Sequence, residues 1–141
     1  SRMFWFDKAN TKVVFMDNRQ IHETLCDGRS LVVQPDVLAD FREIPYPDNY
    51  FKIVVFDPPH LERAGEKSWI RKKYGVLGKQ WREDLKCGVD ECFRVLDRHG
   101  VLIFKWNEEQ IRIGEILKTI GRRPLIGDKR SKTIWLIFMK E

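Results

Sequence analysis

The stretch Phe51-Lys52-Ile53-Val54-Val55-Phe56-Asp57-Pro58-Pro59-His60 decides how the rest of the chain is read. Its first part is rich in β-branched and aromatic side chains, which is a strand signal. Asp57-Pro58-Pro59 then ends the strand, because consecutive prolines offer no N–H to a ladder. An acid and a flat ring thus stand just past the carboxyl end of an apolar strand, where open α/β sheets bind their ligands. The arrangement suits work on an aromatic amine, whose nitrogen lone pair is delocalised into its ring. A carboxylate and a backbone carbonyl that accept the two amine hydrogens draw the nitrogen towards a tetrahedral shape and aim its lone pair. The ring after the prolines can stack on a base swung out of its helix. The plainer alternative is a strand-ending turn with a capping Asp.

Outward from this centre, strand and helix signals alternate. Upstream, Val13-Val14-Phe15-Met16 reads as a buried strand ending at Asp17, and Ile21 to Ser30, with Asp27-Gly28, as a loop or turn. Leu31 to Val33 and Val37 to Phe41 are short strand candidates, and Pro45 and Pro47 follow as breakers. Downstream, residues 61–80 read as a long mobile loop with one helical turn. Trp81, Leu85, Val89, Cys92, Phe93 and Leu96 have helical spacing, and Asp97-Arg98-His99-Gly100 is expected to end that helix with Gly near the C′ position. Val101 to Trp106 is a strand. Ile113, Ile116, Leu117 and Ile120 mark a second helix, stopped by Gly121 and Pro124. Ile126-Gly127-Asp128 is turn-prone, and Thr133 to Met139 is a last strand. Strands apolar on both faces that alternate with helices imply a parallel sheet covered by helices. The final two strands, joined without room for a helix, predict an antiparallel hairpin at one edge.

At 141 residues, 43% hydrophobic and 33% charged, the chain is expected to form a single globular domain, residues 1–141. No apolar run is long enough to span a bilayer, and no secretory leader is visible. Cys26, Cys87 and Cys92 are odd in number and form no CxxC, which argues against a disulfide framework or a zinc site and points to a reducing cytoplasm. Cys87 and Cys92 are expected to pack on a helix. Between Leu61 and Arg82, seven basic residues against Glu62 and Glu66 carry the whole net charge of +5. That points to a local polyanion contact, or else to a solvated loop. Trp69, Tyr74 and Trp81 interleave with Arg71, Lys72 and Lys73, a pattern suited to base stacking and phosphate contact. Trp81 also fits the helix stripe, so it or Trp69 can instead be a core anchor. Lys105 closes a strand and faces the same end. Arg122, Arg123, Lys129, Arg130 and Lys132 form a second basic rim or only solvate the edge hairpin.

Asp17, Asp40 and Asp57 each stand at or just after a strand end. Singly, each is as well explained as a loop residue or a cap. Together they resemble a known pattern. Asp57-Pro58-Pro59-His60 is similar to motif IV of class I S-adenosylmethionine (SAM) dependent amino-methyltransferases, usually (Asp/Asn/Ser)-Pro-Pro followed by an aromatic residue. Asp17 matches the acidic motif after strand 2. Asp40-Phe41, with the Pro45 to Phe51 stretch after it, resembles the motif III region, and Phe93 to Leu102 resembles the helix-turn-strand 5 segment. The resemblance spans nearly the whole chain, and small phage- or prophage-encoded enzymes carrying Asp-Pro-Pro-His resemble it best. His60 departs from the usual aromatic ring.

The resemblance implies a Rossmann-like sheet, mostly parallel with a C-terminal antiparallel hairpin. The Gly-rich motif I turn is not found, so strand 1 and that turn are expected to precede Ser1, just before a helix like Met3-Phe4-Trp5-Phe6-Asp7-Lys8. It implies SAM as cofactor, with its ribose on Asp17 and its adenine against Asp40 and Phe41. It implies methyl transfer to an exocyclic base amine, adenine N6 before cytosine N4. Asp57 and the Pro58 carbonyl would orient the amine beside the rigid Pro59, and His60 would stack. Arg71, Lys72, Lys73, Trp69, Tyr74 and Lys105 would hold the substrate. The expected partner is nucleic acid, DNA ahead of RNA, with a homodimer as an option and no resident metal. The alternatives are an RNA or protein-glutamine methyltransferase, or an inactive binding module of the same fold. A nicotinamide oxidoreductase is disfavoured because no GxGxxG is present.

Overall fold

The computed structural model describes residues 1–141 except Ser1, Met3, Phe4, Cys26, Glu66 and Lys67, and leaves the Ile70 side chain undescribed. In chain order come β1 (Met16–Asp17), β2 (Ile21–Thr24), β3 (Ser30–Val33), β4 (Val37–Leu38) and β5 (Phe51–Phe56). There follow α1 (Trp69–Tyr74), α2 (Trp81–Val95), β6 (Leu96–Asn107), α3 (Ile113–Ile120), β7 (Ile126–Arg130) and β8 (Thr133–Met139). The principal sheet has the order β5-β6-β8-β7. β5 is parallel to β6, and β8 is antiparallel to both β6 and β7. Three of its four strands therefore share one direction, and the expected hairpin forms with β7 at the edge. The chain is a mixed α/β protein. It is not one continuous sheet among the described residues, since the parallel pair β1–β4 and the antiparallel pair β2–β3 are hydrogen-bonded apart from the principal sheet.

The core lies on one face of that sheet. Leu102, Phe104 and Trp106 alternate along β6 and oppose Phe138, Leu136 and Ile134 of β8. All six are buried with Leu85, Val89 and Cys92 of α2 and Ile116 and Ile120 of α3. Both helices thus cover the same side, by the apolar stripe that their spacing dictates. On the other face Val101, Ile103, Thr133, Trp135 and Ile137 are only half-buried. The expectation of helices on both faces is not met among the described residues. Glu83 and Asp84 in the first turn of α2 and Arg94 in its last complement the helix dipole. Arg94 also donates to the Ile44 and Tyr46 carbonyls at 2.8 Å each, tying the proline-containing loop to α2.

Several local expectations need correction. Ile21 to Ser30 is not all loop: Asp27 accepts from the Arg29 backbone N–H and Gly28 takes φ 83°, so Asp-Gly closes a β2–β3 hairpin. Cys26 lies outside the described residues. Val13 to Met16 is not a buried strand. Only Met16–Asp17 joins a ladder, Val14 is exposed, and Phe15 is held by Trp5, Arg2 and the Asp36 carboxylate. Val37 to Phe41 is strand only at Val37–Leu38. Trp5 to Lys8 is not helical, because Asp7 caps the Ala9 N–H in a turn; Met3 and Phe4 are outside the described residues.

The helix expected from Trp81 to Leu96 is α2, and it does not take Gly100 as its C′ residue. It ends at Val95, and Leu96 is already extended and opens β6 by pairing with Phe51. His99 at φ 61° and a register shift between Phe51 and Ile53 absorb the irregularity. Gly100 is needed for a close approach, since a Cβ there would sit 2.8 Å from the Asp97 carbonyl oxygen. The turn expected at Ile126 to Asp128 falls after Arg130 instead, with Ser131 at φ 57°. Cys92 is buried as expected, whereas Cys87 is exposed and directs its thiol at the Arg42 carbonyl, 3.4 Å away. Gly121 does cap α3 in the left-handed conformation.

Candidate active site

The parallel register Phe56↔Phe104 brings Asp57, just past the end of β5, beside Lys105, which is still within β6. Asp57 and Lys105 meet there: Lys105 Nζ donates to Asp57 Oδ2 at 3.0 Å, with side chains 27% and 22% exposed. Water is thus largely but not wholly excluded, and the pair bridges two adjacent parallel strands. Pro58 is buried and Pro59 half-buried. His60 follows, half-buried, its ring centroid 6.3 Å from that of Tyr74. Burial pushes the His60 pKa below its usual 6.5; the Asp57 carboxylate opposes this and Lys105 reinforces it. The imidazole is therefore neutral near pH 7, a flat ring with one donor and one acceptor nitrogen.

The segment after His60 folds back over this strand end. α1 forms the single helical turn expected, and Gly75 at φ 76° ends it with its N–H on the Arg71 carbonyl. A Cβ on Gly75 would lie 3.3 Å from Pro59 Cγ, so this end of α1 is seated against the proline. The expected substrate cations are not equivalent. Arg71 donates to the Ala64 carbonyl of its own loop, and Lys72 pairs with Glu23 of β2 at 2.8 Å. Lys73 Nζ lies 5.1 Å from the Tyr74 ring centroid and 5.8 Å from that of Trp69. Trp69 is exposed, whereas Trp81 is a core residue at 2% exposure, so the anchor reading holds for Trp81. Glu62, Arg63, Arg71 and Lys79 help to line an open cavity of about 510 Å³ in this segment. A second open cavity of about 490 Å³ lies between α2 and α3 and includes none of the candidate residues.

Asp17 ends β1, and Asp40 stands just beyond the parallel β4, so the two carboxylates emerge at one end of a parallel pair. That placement fits a nucleoside, but both acids already have partners. Arg19 donates to Asp17 through Nε at 2.9 Å and Nη2 at 3.0 Å. Its Nη1 also reaches the Lys72 carbonyl at 3.1 Å, which links Asp17 to the end of α1. Arg42 binds Asp40 through Nε and Nη2 and also reaches Asp84. The Arg42 guanidinium holds the Asp40 pKa below the usual carboxylate range, against the opposing effect of burial. The Arg19 backbone N–H donates to Asp17 Oδ1 as well, at 3.0 Å, so three of the carboxylate's about four lone-pair sites are taken and both ribose hydroxyls could bind Asp17 only if Arg19 shifted. The Phe41 ring packs on Phe56 and over Gly88, so only its backbone could meet an adenine. The residues fit SAM on that condition.

Arg19 and Arg42 were not singled out by sequence reasoning. Their signal is an Asp-x-Arg triplet, found at Asp17, Asp27, Asp40 and Asp128. In each the arginine side chain folds back on the acid two residues earlier. Among the described residues no group of three or more His, Cys, Asp or Glu side chains could hold a metal ion. No described helix is long and apolar enough to cross a membrane.

No protein-family model matches the chain, and comparison with curated proteins finds no match. Among solved structures, the chain is similar to a SAM-dependent methyltransferase of the DUF858 family from Leishmania major, with a TM-score of 0.44 and 14% sequence identity. The similarity covers 72% of this chain and 44% of that one, so the chain spans less than half of that protein's length.

Proposed function

We propose that the protein transfers a methyl group from SAM to an exocyclic amine of a nucleic-acid base, adenine N6 before cytosine N4, in DNA ahead of RNA. The observation that carries this reading is Asp57-Pro58-Pro59-His60 at the carboxyl end of β5, with the Asp57 carboxylate beside Lys105 and a neutral His60 ring near Tyr74. SAM, when bound, would supply an electrophilic methyl on a sulfonium sulfur. The chain's own residues would do the rest. Asp57 and the Pro58 carbonyl accept the two amine hydrogens and turn the nitrogen lone pair towards the methyl. The methyl would pass to that nitrogen with the C–S electron pair left on sulfur, and the nitrogen would then give a proton to solvent. No strong base is needed before attack. His60 and Tyr74 supply π surfaces for the base, and Lys73, Trp69 and the Arg63, Arg71 and Lys79 cavity rim suit the flanking phosphates and bases. The reducing cytoplasm remains the proposed compartment, and a second copy of the chain an optional partner.

The test is methyl transfer from labelled SAM to DNA, RNA and protein pools in parallel, with Asp57→Ala beside the parent. Asp57→Ala is expected to depress turnover by at least about 100-fold, the scale for loss of one preorganised polar group, while SAM affinity changes little. Transfer only to protein would replace the base with a glutamine-type amide. A second reading, a binding module of the same fold without turnover, is favoured by one observation: Arg19 already occupies Asp17. Calorimetry separates the two, since no heat with SAM or its demethylated product would remove the methyltransferase.

A further inference from the structure

Two opposite charges, one just past β5 and one within the neighbouring β6, make a donor and an acceptor side by side. Lys105 Nζ and Asp57 Oδ2 are 3.0 Å apart and partly exposed at the same site. Asp57 is fixed from behind by the buried Pro58. Lys105 is opposite Trp135 in the β6–β8 register, and its Nζ lies 5.8 Å from that ring centroid, so its stem lies along an aromatic surface. Neither charged tip can swing far without leaving the other partly desolvated, a cost that favours keeping them adjacent.

A ligand that accepts one hydrogen bond and donates another across such a pair needs the matching edge. Two atoms about 1.33 Å from one sp² carbon lie roughly 2.3 Å apart. An amino nitrogen and the ring nitrogen or oxygen on the same carbon therefore approach the Asp57–Lys105 spacing. Both protein contacts would be charge-assisted. An alkylamine offers hydrogens to Asp57 but has no neighbouring acceptor, and would leave the ammonium facing a carbon.

We infer that Lys105 is a specificity-determining residue that donates to the acceptor on the same carbon as the target amine, so that the substrate edge is H₂N–C=N or H₂N–C=O and alkylamines are rejected. In adenine that acceptor is N1, and in cytosine it is N3. This rests on the methyl-transfer reading of the same site. It adds a requirement that Asp57 and His60 alone do not impose. Lys105 then serves neither as a base nor as a phosphate contact, in contrast with the cations of α1.

Replacing the ring nitrogen by CH tests this without any change to the protein. Methyl transfer is measured on a single-stranded oligonucleotide with one adenine and on the same strand with 1-deazaadenine; 3-deazacytosine serves if cytosine is the target. The replacement removes an electron-withdrawing nitrogen and makes the amine a better nucleophile, so chemistry alone would raise the rate. Loss of a hydrogen bond to the ammonium should instead lower kcat/KM by about 10-fold or more. In Lys105→Met the natural base should fall by a similar factor, and the deaza base should show no further loss. Lys105→Arg keeps a donor and should keep the discrimination. An equal deaza penalty in the parent and in Lys105→Met, or none in the parent, overturns the inference and leaves methyl transfer standing. Transfer to an alkylamine does the same. No transfer by the parent to any amine overturns the proposed function and this inference with it.

Discussion

Gly88→Ala places the smallest side chain at the point where α2 meets the loop carrying Asp40 and Phe41. Away from other contacts, alanine would stabilise a helix interior by about 1 kcal/mol over glycine. Here the new Cβ would sit 2.4 Å from Phe41 Cδ2, 2.8 Å from Cε2 and 3.1 Å from Phe56 Cζ. Those are ring atoms in the core, not the free end of a flexible chain, and the Phe41 and Phe56 rings already pack at 5.3 Å. Overpacking of a core costs about 1–3 kcal/mol, and contact this close belongs in the upper half of that range. The net is a loss of about 1–2 kcal/mol, which for a chain of this length lowers Tm by roughly 4–8 °C. Thermal unfolding followed by far-ultraviolet circular dichroism measures it. Gly114→Ala in α3 is the control, because a Cβ there meets nothing within 4 Å. It should raise stability by a few tenths up to about 1 kcal/mol. A Gly88→Ala protein as stable as the parent, or more so, would refute the packing of Phe41 into α2. The Phe41 ring could then be turned towards a ligand after all.

Four further outcomes follow from the site. Arg19→Ala removes the link between Asp17 and the Lys72 carbonyl, so amides of residues 71–75 should exchange hydrogen faster while α2 is unchanged; equal exchange would mean that Arg19 does not hold α1. In the same variant SAM should bind at least as tightly as in the parent, because Asp17 no longer has to be released, and weaker binding seen by calorimetry would make Arg19 part of the cofactor site. If α1 and its cavity hold nucleic acid, affinity should fall as salt rises through counterion release. Lys73→Ala with Lys79→Ala should flatten that slope, and a salt-independent parent would leave the segment as solvated surface. His60 is held below its usual pKa of 6.5 by burial, so the unfolded chain binds that proton more tightly. Its contribution to stability is complete above about pH 6.5 and is lost as pH falls through the lower folded value. Denaturation midpoints between about pH 7 and pH 5 should therefore fall less steeply in His60→Gln than in the parent, and identical slopes would place His60 in open solvent.

The sequence by itself determined those elements whose signal is local. The apolar stripe from Trp81 to Phe93 makes α2 wherever it packs, because helical spacing leaves one face apolar. Gly121 caps α3 because only a residue tolerant of positive φ ends a helix in that way. Asp57-Pro58-Pro59 stops β5 because proline has no N–H, and Asp-Gly closes a hairpin that was legible though read only as a turn. The candidate site was legible to the same extent: the order of Asp17, Asp40, Asp57 and His60 along the chain puts each near a strand end. What those side chains touch was decided only by the tertiary structure. Lys105 is far from Asp57 in sequence, and only the parallel register of β5 and β6 brings them together. Arg42 reaches Asp84, and Arg19 reaches the α1 carbonyls, across comparable gaps. The end of α2 moved for the same reason, since Leu96 gains a ladder partner in Phe51 that no local pattern announces. Periodicity, caps and proline breaks act within a few residues, whereas hydrogen-bond ladders and ion pairs depend on which distant segments the shared core holds side by side.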